Sequence, residues 1–185
     1  MDTIRTDPNL IALIKNQDNH EAWSEFEGWY APIIQSFCIS RGMLRQDADD
    51  ISQEVFLRLS QSPISSQYDP TIGRFRSYLF QVTRSAVSSV ARQNPRVQSI
   101  ELSPEQPCIE EWNAAWDKEC VRRAISSVER TVSEHSKQIL NLSMRGTAPA
   151  VIAETLGVSA ESVYKARQRL QTKIQTTIQR IQFET

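Results

Sequence analysis

The feature that most constrains this chain is the spacing of its apolar residues, which recur at steps of three and four. Trp23, Phe26, Trp29, Tyr30, Ile33, Ile34 and Phe37 draw a wide apolar face on a helix from about residue 20 to 40. Pro32 lies inside that stretch and is expected to kink or break it. Arg41-Gly42 ends it. Upstream, Leu10, Ile11, Leu13 and Ile14 form a short apolar segment behind an Asp7-Pro8 helix start. Downstream, Asp47, Asp49 and Asp50 open a helix whose positive end they complement. Ile51, Val55 and Leu59, with Leu57 flanking, supply its buried side. After a Ser- and Pro-bearing loop to Tyr68, the residues Phe75, Tyr78, Leu79, Val82, Ala86, Val87 and Val90 fit one face as far as Arg92.

Residues 93–110 hold Pro95, Pro104 and Pro107 and no sustained period, which reads as a linker. Trp112 and Trp116, four apart, then start a second helical half. Val121, Ala124, Ile125 and Val128 continue that helix, and Ile139, Leu140, Leu142 and Met144 make another. The expected fold is therefore all-α, with two small helical domains at 1–93 and 112–185 joined by a linker at 94–111. Only 5 glycines in 185 residues argue against glycine-rich nucleotide loops and a turn-dense β architecture.

Several function classes drop out. No apolar run approaches the roughly 20 residues of a membrane span, and the opening Met-Asp-Thr-Ile-Arg has no signal-peptide character, so a soluble, cytoplasmic protein without membrane insertion is expected. Cys38, Cys108 and Cys120 are far apart and odd in number, as buried thiols are. His20 and His135 are isolated, so no metal site or other cofactor is expected. No phosphate loop, nucleophile motif or paired ligand spacing is present, and an enzyme is not expected.

Charge is unevenly placed. The net −1 divides into −5 over residues 1–67, +4 over 68–98, −4 over 99–135 and +4 over 136–185. Such blocks suit a protein that meets another protein with one surface and a polyanion with another, and they equally suit solvated helix faces.

The sharpest local motif spans residues 151–170. Ala153 permits close helix approach, Leu156 is placed to be buried, and Gly157 supplies a positive φ that ends a first helix. Val158 fills the corner and Ser159 caps a second helix. Pro149 sits where a first helical turn tolerates it. Val163, Ala166, Leu170 and Ile174 share a narrow arc, while Glu161, Lys165, Gln168 and Thr172, flanked by Tyr164 and Arg169, lie opposite. That pattern is a helix-turn-helix whose second helix fits the major groove of DNA, with Ser159 and the first-turn amides open to a phosphate.

With these motifs in place, the chain resembles bacterial RNA polymerase sigma factors of the extracytoplasmic-function class. The resemblance covers about residues 20–95 and 112–182. Asp47-Ala-Asp-Asp-Ile-Ser-Gln-Glu-Val-Phe-Leu-Arg-Leu59 resembles the core-polymerase-binding helix. Tyr68-Asp-Pro-Thr-Ile-Gly-Arg-Phe-Arg-Ser-Tyr-Leu79 resembles the approach to the promoter-melting, −10-reading helix. The C-terminal motif resembles the −35-reading domain. The Trp112–Trp116 helix and Val163-Tyr-Lys-Ala-Arg are similar to the planctomycete-type branch.

The resemblance implies roles. Asp50, Gln53 and Glu54, on one helix face, would engage the β′ clamp of core RNA polymerase, with Asp47, Asp49 and Arg58 widening the rim. Tyr68, Arg74, Arg76, Tyr78, Arg84 and Arg92 would meet −10 DNA, the arginines at phosphates and the aromatic rings at unstacked bases. Phe75 fits either that set or the core. Ser159, Glu161, Ser162, Tyr164, Lys165, Gln168 and Arg169 would meet −35 DNA. Ser85, Ser88 and Ser89 occupy a stretch where many relatives carry Asn and Asp. The implied partners are promoter DNA, the polymerase β′ clamp and β flap, and an anti-sigma factor, with a monomer when free. Two alternatives stay open: a stand-alone dimeric helix-turn-helix regulator, and a sigma-like adaptor that binds polymerase without promoters.

Overall fold

The structure, a computed structural model, describes residues 8–14, 16, 18–61, 74–93 and 105–183. Among these residues there are helices and no strand, as the apolar period requires. They are α1 (Pro8–Leu13), α2 (His20–Ser40), α3 (Arg45–Gln61), α4 (Phe75–Gln93), α5 (Glu105–Thr131), α6 (Glu134–Met144), α7 (Pro149–Leu156) and α8 (Ala160–Phe183). They form two compact units, one of residues up to Glu119 and one of Cys120–Phe183.

The first unit is built on aromatic rings. Phe26 of α2 lies 4.5 Å from Tyr30, 6.0 Å from Phe56 of α3 and 5.8 Å from Phe75 of α4, centroid to centroid. All these rings are buried, so Phe75 belongs to the core. Asn19 starts α2 by accepting from the Ala22 amide at 3.2 Å. The helix then runs through Pro32 without the expected break. Proline removes one backbone bond there, while Ile33, Ile34, Phe37 and Cys38 beyond it are all buried and hold the chain helical. In α3 the expected flank is corrected: Phe56 is buried and Leu57 is 51% exposed, because the face that continues Ile51, Ser52 and Val55 passes through residue 56.

The domain boundary differs from the expected one. Residues 105–111, assigned to the linker, are the start of α5, and Pro107 sits in its first turn where a missing amide costs nothing. Residues 94–104 lie outside the described ones. Trp112 and Trp116 do not begin the second half. Trp112 packs 5.6 Å from Phe37 and 5.8 Å from Phe80, and Trp116 lies 5.8 Å from Tyr30, so both complete the first unit. Arg41, its side chain only 5% exposed, pins the same helix segment through Glu111 at 2.7 Å.

The second unit packs Val128, Ile139, Leu140, Ile152, Ala153, Val163, Ala166 and Leu170 into one core. Ser133 caps α6 by accepting from the Ser136 amide. Gly157 has φ 65° and ends α7, letting the Val158 amide reach the Ala153 carbonyl at 3.0 Å. Pro149 occupies the first turn of α7, where Ala148 offers no side-chain cap.

Candidate functional site

In α3 the buried period leaves a polar ridge. Asp50 and Gln53 are exposed, and Asp47, Asp49, Glu54 and Arg58 are half-buried. Asp50, Gln53 and Glu54 share one face, as their spacing demands. Glu54 accepts from the Arg58 Nε at 2.7 Å, and Arg58 Nη1 donates to Ser85 Oγ on α4 at 2.9 Å. Arg58 therefore bridges two helices of the first unit.

The ridge also forms one wall of a cleft. The opposite wall comes from α2, through Trp23, Ser24, Glu27, Gly28 and Ala31, and the cleft volume is about 1130 Å³. Sequence reasoning assigned α2 only a core role. The signal that marks its second face is the run of small residues Ser24, Gly28 and Ala31 opposite the apolar one.

In α4, Phe75, Leu79, Phe80, Thr83, Ala86 and Val87 are buried. Arg74 and Arg92 are exposed, and Arg84 is half-buried. Arg76 is engaged inside the unit: its Nη2 donates to the Asn113 carbonyl at 3.1 Å, its Nη1 stands 3.6 Å from Asp117, and its guanidinium lies 5.1 Å over the Trp116 ring. It ties α4 to α5, which sequence reasoning had not foreseen. Tyr78 is half-buried beside Phe75, and burial raises its phenol pKa. Tyr68 lies outside the described residues. Ser85 accepts from Arg58, and Ser88 donates to the Arg84 carbonyl at 3.0 Å.

In α8 the inner arc Val163, Ala166 and Leu170 is buried, which turns Glu161, Ser162, Tyr164, Lys165, Gln168 and Arg169 outward, all exposed. Ser159 caps the helix, its hydroxyl accepting from the Ser162 amide at 3.2 Å. Lys165 pairs with Glu161 at 2.6 Å along the exposed face, and Tyr164 beside it is 60% exposed. The face thus offers donors, acceptors and one aromatic ring with no competing core role.

Cys38, Cys108 and Cys120 are all buried. Burial pushes the Cys38 thiol up to about 12, with Arg41 pulling the other way. No helix among the described residues is long and apolar enough to cross a membrane.

Neither the curated proteins nor the solved structures yield a match to this chain. Residues 30–97, which include the second half of α2 with all of α3 and α4, match the family model of sigma-70 region 2.

Proposed function

We propose that the chain is an extracytoplasmic-function sigma factor, of the planctomycete-type branch, that binds core RNA polymerase and directs it to promoters. Residues up to Glu119 serve as the polymerase and −10 module. Asp49, Asp50, Gln53 and Glu54 meet the β′ clamp, and Arg74, Arg84 and Arg92 meet promoter phosphates. Residues Cys120–Phe183 serve as the −35 module through Ser159, Glu161, Ser162, Tyr164, Lys165, Gln168 and Arg169, with a helix-turn-helix in the major groove and a contact to the β flap. The free protein is a cytoplasmic monomer, held by an anti-sigma factor until released. The observation that carries the reading is the coincidence of the region 2 match with a polar ridge on α3 that exposes Asp50 and Gln53.

The mechanism needs no bond chemistry from this chain. Polymerase binding places two DNA-contacting surfaces at once, and each weak contact gains from the other when both promoter elements are suitably spaced. Run-off transcription with core enzyme and a randomised promoter pool tests this. Enrichment of a two-part promoter is expected, and no core-dependent transcript would refute it. A second reading, the polymerase-binding adaptor, is favoured by the commitment of Arg76, Ser85 and Ser88 to contacts within the first unit. It predicts core capture without transcripts. A stand-alone dimeric regulator predicts instead a two-fold dimer in solution and a palindromic operator.

A further inference from the structure

The hydroxyl of Ser85 is held from one side only. It accepts from Arg58 Nη1 across the α3–α4 boundary at 2.9 Å, and among the described residues it gives its own proton to none. Other hydroxyls on the same helix behave differently. Thr83 donates to the Leu79 carbonyl at 2.8 Å, and Ser88 donates to the Arg84 carbonyl at 3.0 Å. Ser143, Thr155, Thr172 and Thr177 bond back to the preceding turn in the same way on other helices. Ser85 stands outside that pattern and is exposed.

The arginine that reaches it is itself fixed. Arg58 Nε donates to Glu54 Oε1 at 2.7 Å, one turn back on α3 and in the favourable order of acid before base. A serine hydroxyl carries one proton and two lone pairs. An ionised donor makes the stronger kind of hydrogen bond, and a hydroxyl that accepts one becomes a better donor, with its proton turned away from the guanidinium. Ser85 therefore presents a polarised O–H to whatever approaches α4 from outside.

The surroundings say what that is. Arg74, Ser77, Gln81, Ser85 and Arg92 are all exposed, and at 100° per residue they fall within about 80° of arc. No acidic residue occurs in α4. The two arginines close the ends of this stripe, about 27 Å apart along the helix. Cations at the ends suit phosphates, and a neutral polar stretch between them suits base edges.

We propose that Ser85 is a specificity-determining residue for the −10 element. Its hydroxyl only donates, so it selects a base whose groove edge accepts, guanine or thymine, over cytosine, whose edge donates. Arg58 and Glu54 act through it as positioning residues. This rests on the −10 reading of α4 above and deepens it. The hold of Arg58 on Ser85 leaves the serine proton for the template.

Selection from the randomised promoter pool with core enzyme tests it. Base ratios at one position are read within one reaction, so a change in affinity for core cancels. Wild type should enrich guanine or thymine over cytosine about fivefold at one −10 position, the worth of one hydrogen bond. Ser85→Ala should bring that ratio close to one and leave the other positions as they are, and Ser85→Thr, which keeps the hydroxyl, should retain it. Arg58→Gln should lower the ratio at the same position and add nothing when combined with Ser85→Ala. An unchanged ratio in Ser85→Ala would overturn the proposal and leave the −10 reading intact. An equal loss on every sequence would assign the hydroxyl to a phosphate and overturn its part in specificity. Additive effects in the double variant would overturn the positioning role of Arg58. A wild-type chain that yields no core-dependent transcript would overturn both the proposal and the reading beneath it.

Discussion

Replacing Trp112 with alanine tests the placement of α5 within the first unit. The side chain is 2% exposed and packs against Phe37, Phe80 and Trp116 at 5.6, 5.8 and 6.1 Å. A buried tryptophan removes roughly 150–250 Å² from water, worth about 4–6 kcal/mol at about 25 cal/mol per Å². Its Nε1 is buried without a partner, a burden of about 1–3 kcal/mol that leaves with the ring. The net loss expected for Trp112→Ala is therefore about 3 kcal/mol, a midpoint drop of roughly 12–24 °C for a unit of this size. Trp112→Phe keeps most of the area and sheds the unpaired N–H, so it should stay within about 1 kcal/mol of wild type. All 4 tryptophans, at 23, 29, 112 and 116, lie in the first unit. Tryptophan fluorescence thus follows its unfolding alone, and far-UV circular dichroism follows both units. A loss below about 1 kcal/mol for Trp112→Ala would refute the packing. An equal loss for Trp112→Phe would refute the role given to the N–H.

Other perturbations have equally definite outcomes. Gly157→Ala should cost the second unit about 1–2 kcal/mol through backbone strain alone, since φ is 65° and a Cβ there meets nothing within 4 Å; chemical denaturation followed by circular dichroism measures it. Cys38 keeps its proton to about 12 when folded, whereas an unfolded thiol releases it near 9.0, so stability is level below about pH 9 and falls through the window between. At about 1.4 kcal/mol per pH unit, wild type should lose about 2 kcal/mol more than Cys38→Ala between pH 8 and 10.5 in urea titrations. Lys165→Ala and Arg169→Ala should weaken binding to −35 duplex several-fold and leave core capture intact; a loss of core capture in pull-downs would move that surface to the polymerase. Arg74→Gln and Arg92→Gln should each lower the salt slope of core-dependent promoter binding by about 0.7–0.9, whereas Arg76→Gln should leave the slope unchanged and lower the first unit's midpoint.

The fold was legible wherever local chemistry decides it. A glycine at 157 followed by a serine cap at 159 is a nearest-neighbour signal, and the structure carries both features at those positions. Period likewise reports which face of α2, α4 or α8 is buried. It does not report which helix a tryptophan meets. Trp112 and Trp116 follow three prolines, which made them look like the opening of a new domain. Their partners, Tyr30, Phe37 and Phe80, come from helices far back in the chain, and only tertiary contact settles that. Pro32 misled in the opposite direction. A local rule expected a break, and burial of Ile33, Ile34 and Phe37 on the far side overrode one lost hydrogen bond.

The candidate surfaces show the same division, with charge in the place of packing. A sequence counts arginines, but a partner meets only those the fold leaves open. Arg41 is held by Glu111, Arg58 by Glu54 and Ser85, and Arg76 by Asp117, Asn113 and Trp116. Arg41 and Arg76 tie α5 to the rest of the first unit, and Arg58 ties α3 to α4, so these cations are engaged within the platform. On α8 the opposite holds, because every residue of the outward arc was legible from the inner arc alone: once Val163, Ala166 and Leu170 are buried, helical geometry leaves Lys165, Gln168 and Arg169 nowhere to point but out. A face set by one helix's own period can be read directly from its sequence. A face shared between helices, like the α2–α3 cleft, emerges only when two periods are brought side by side.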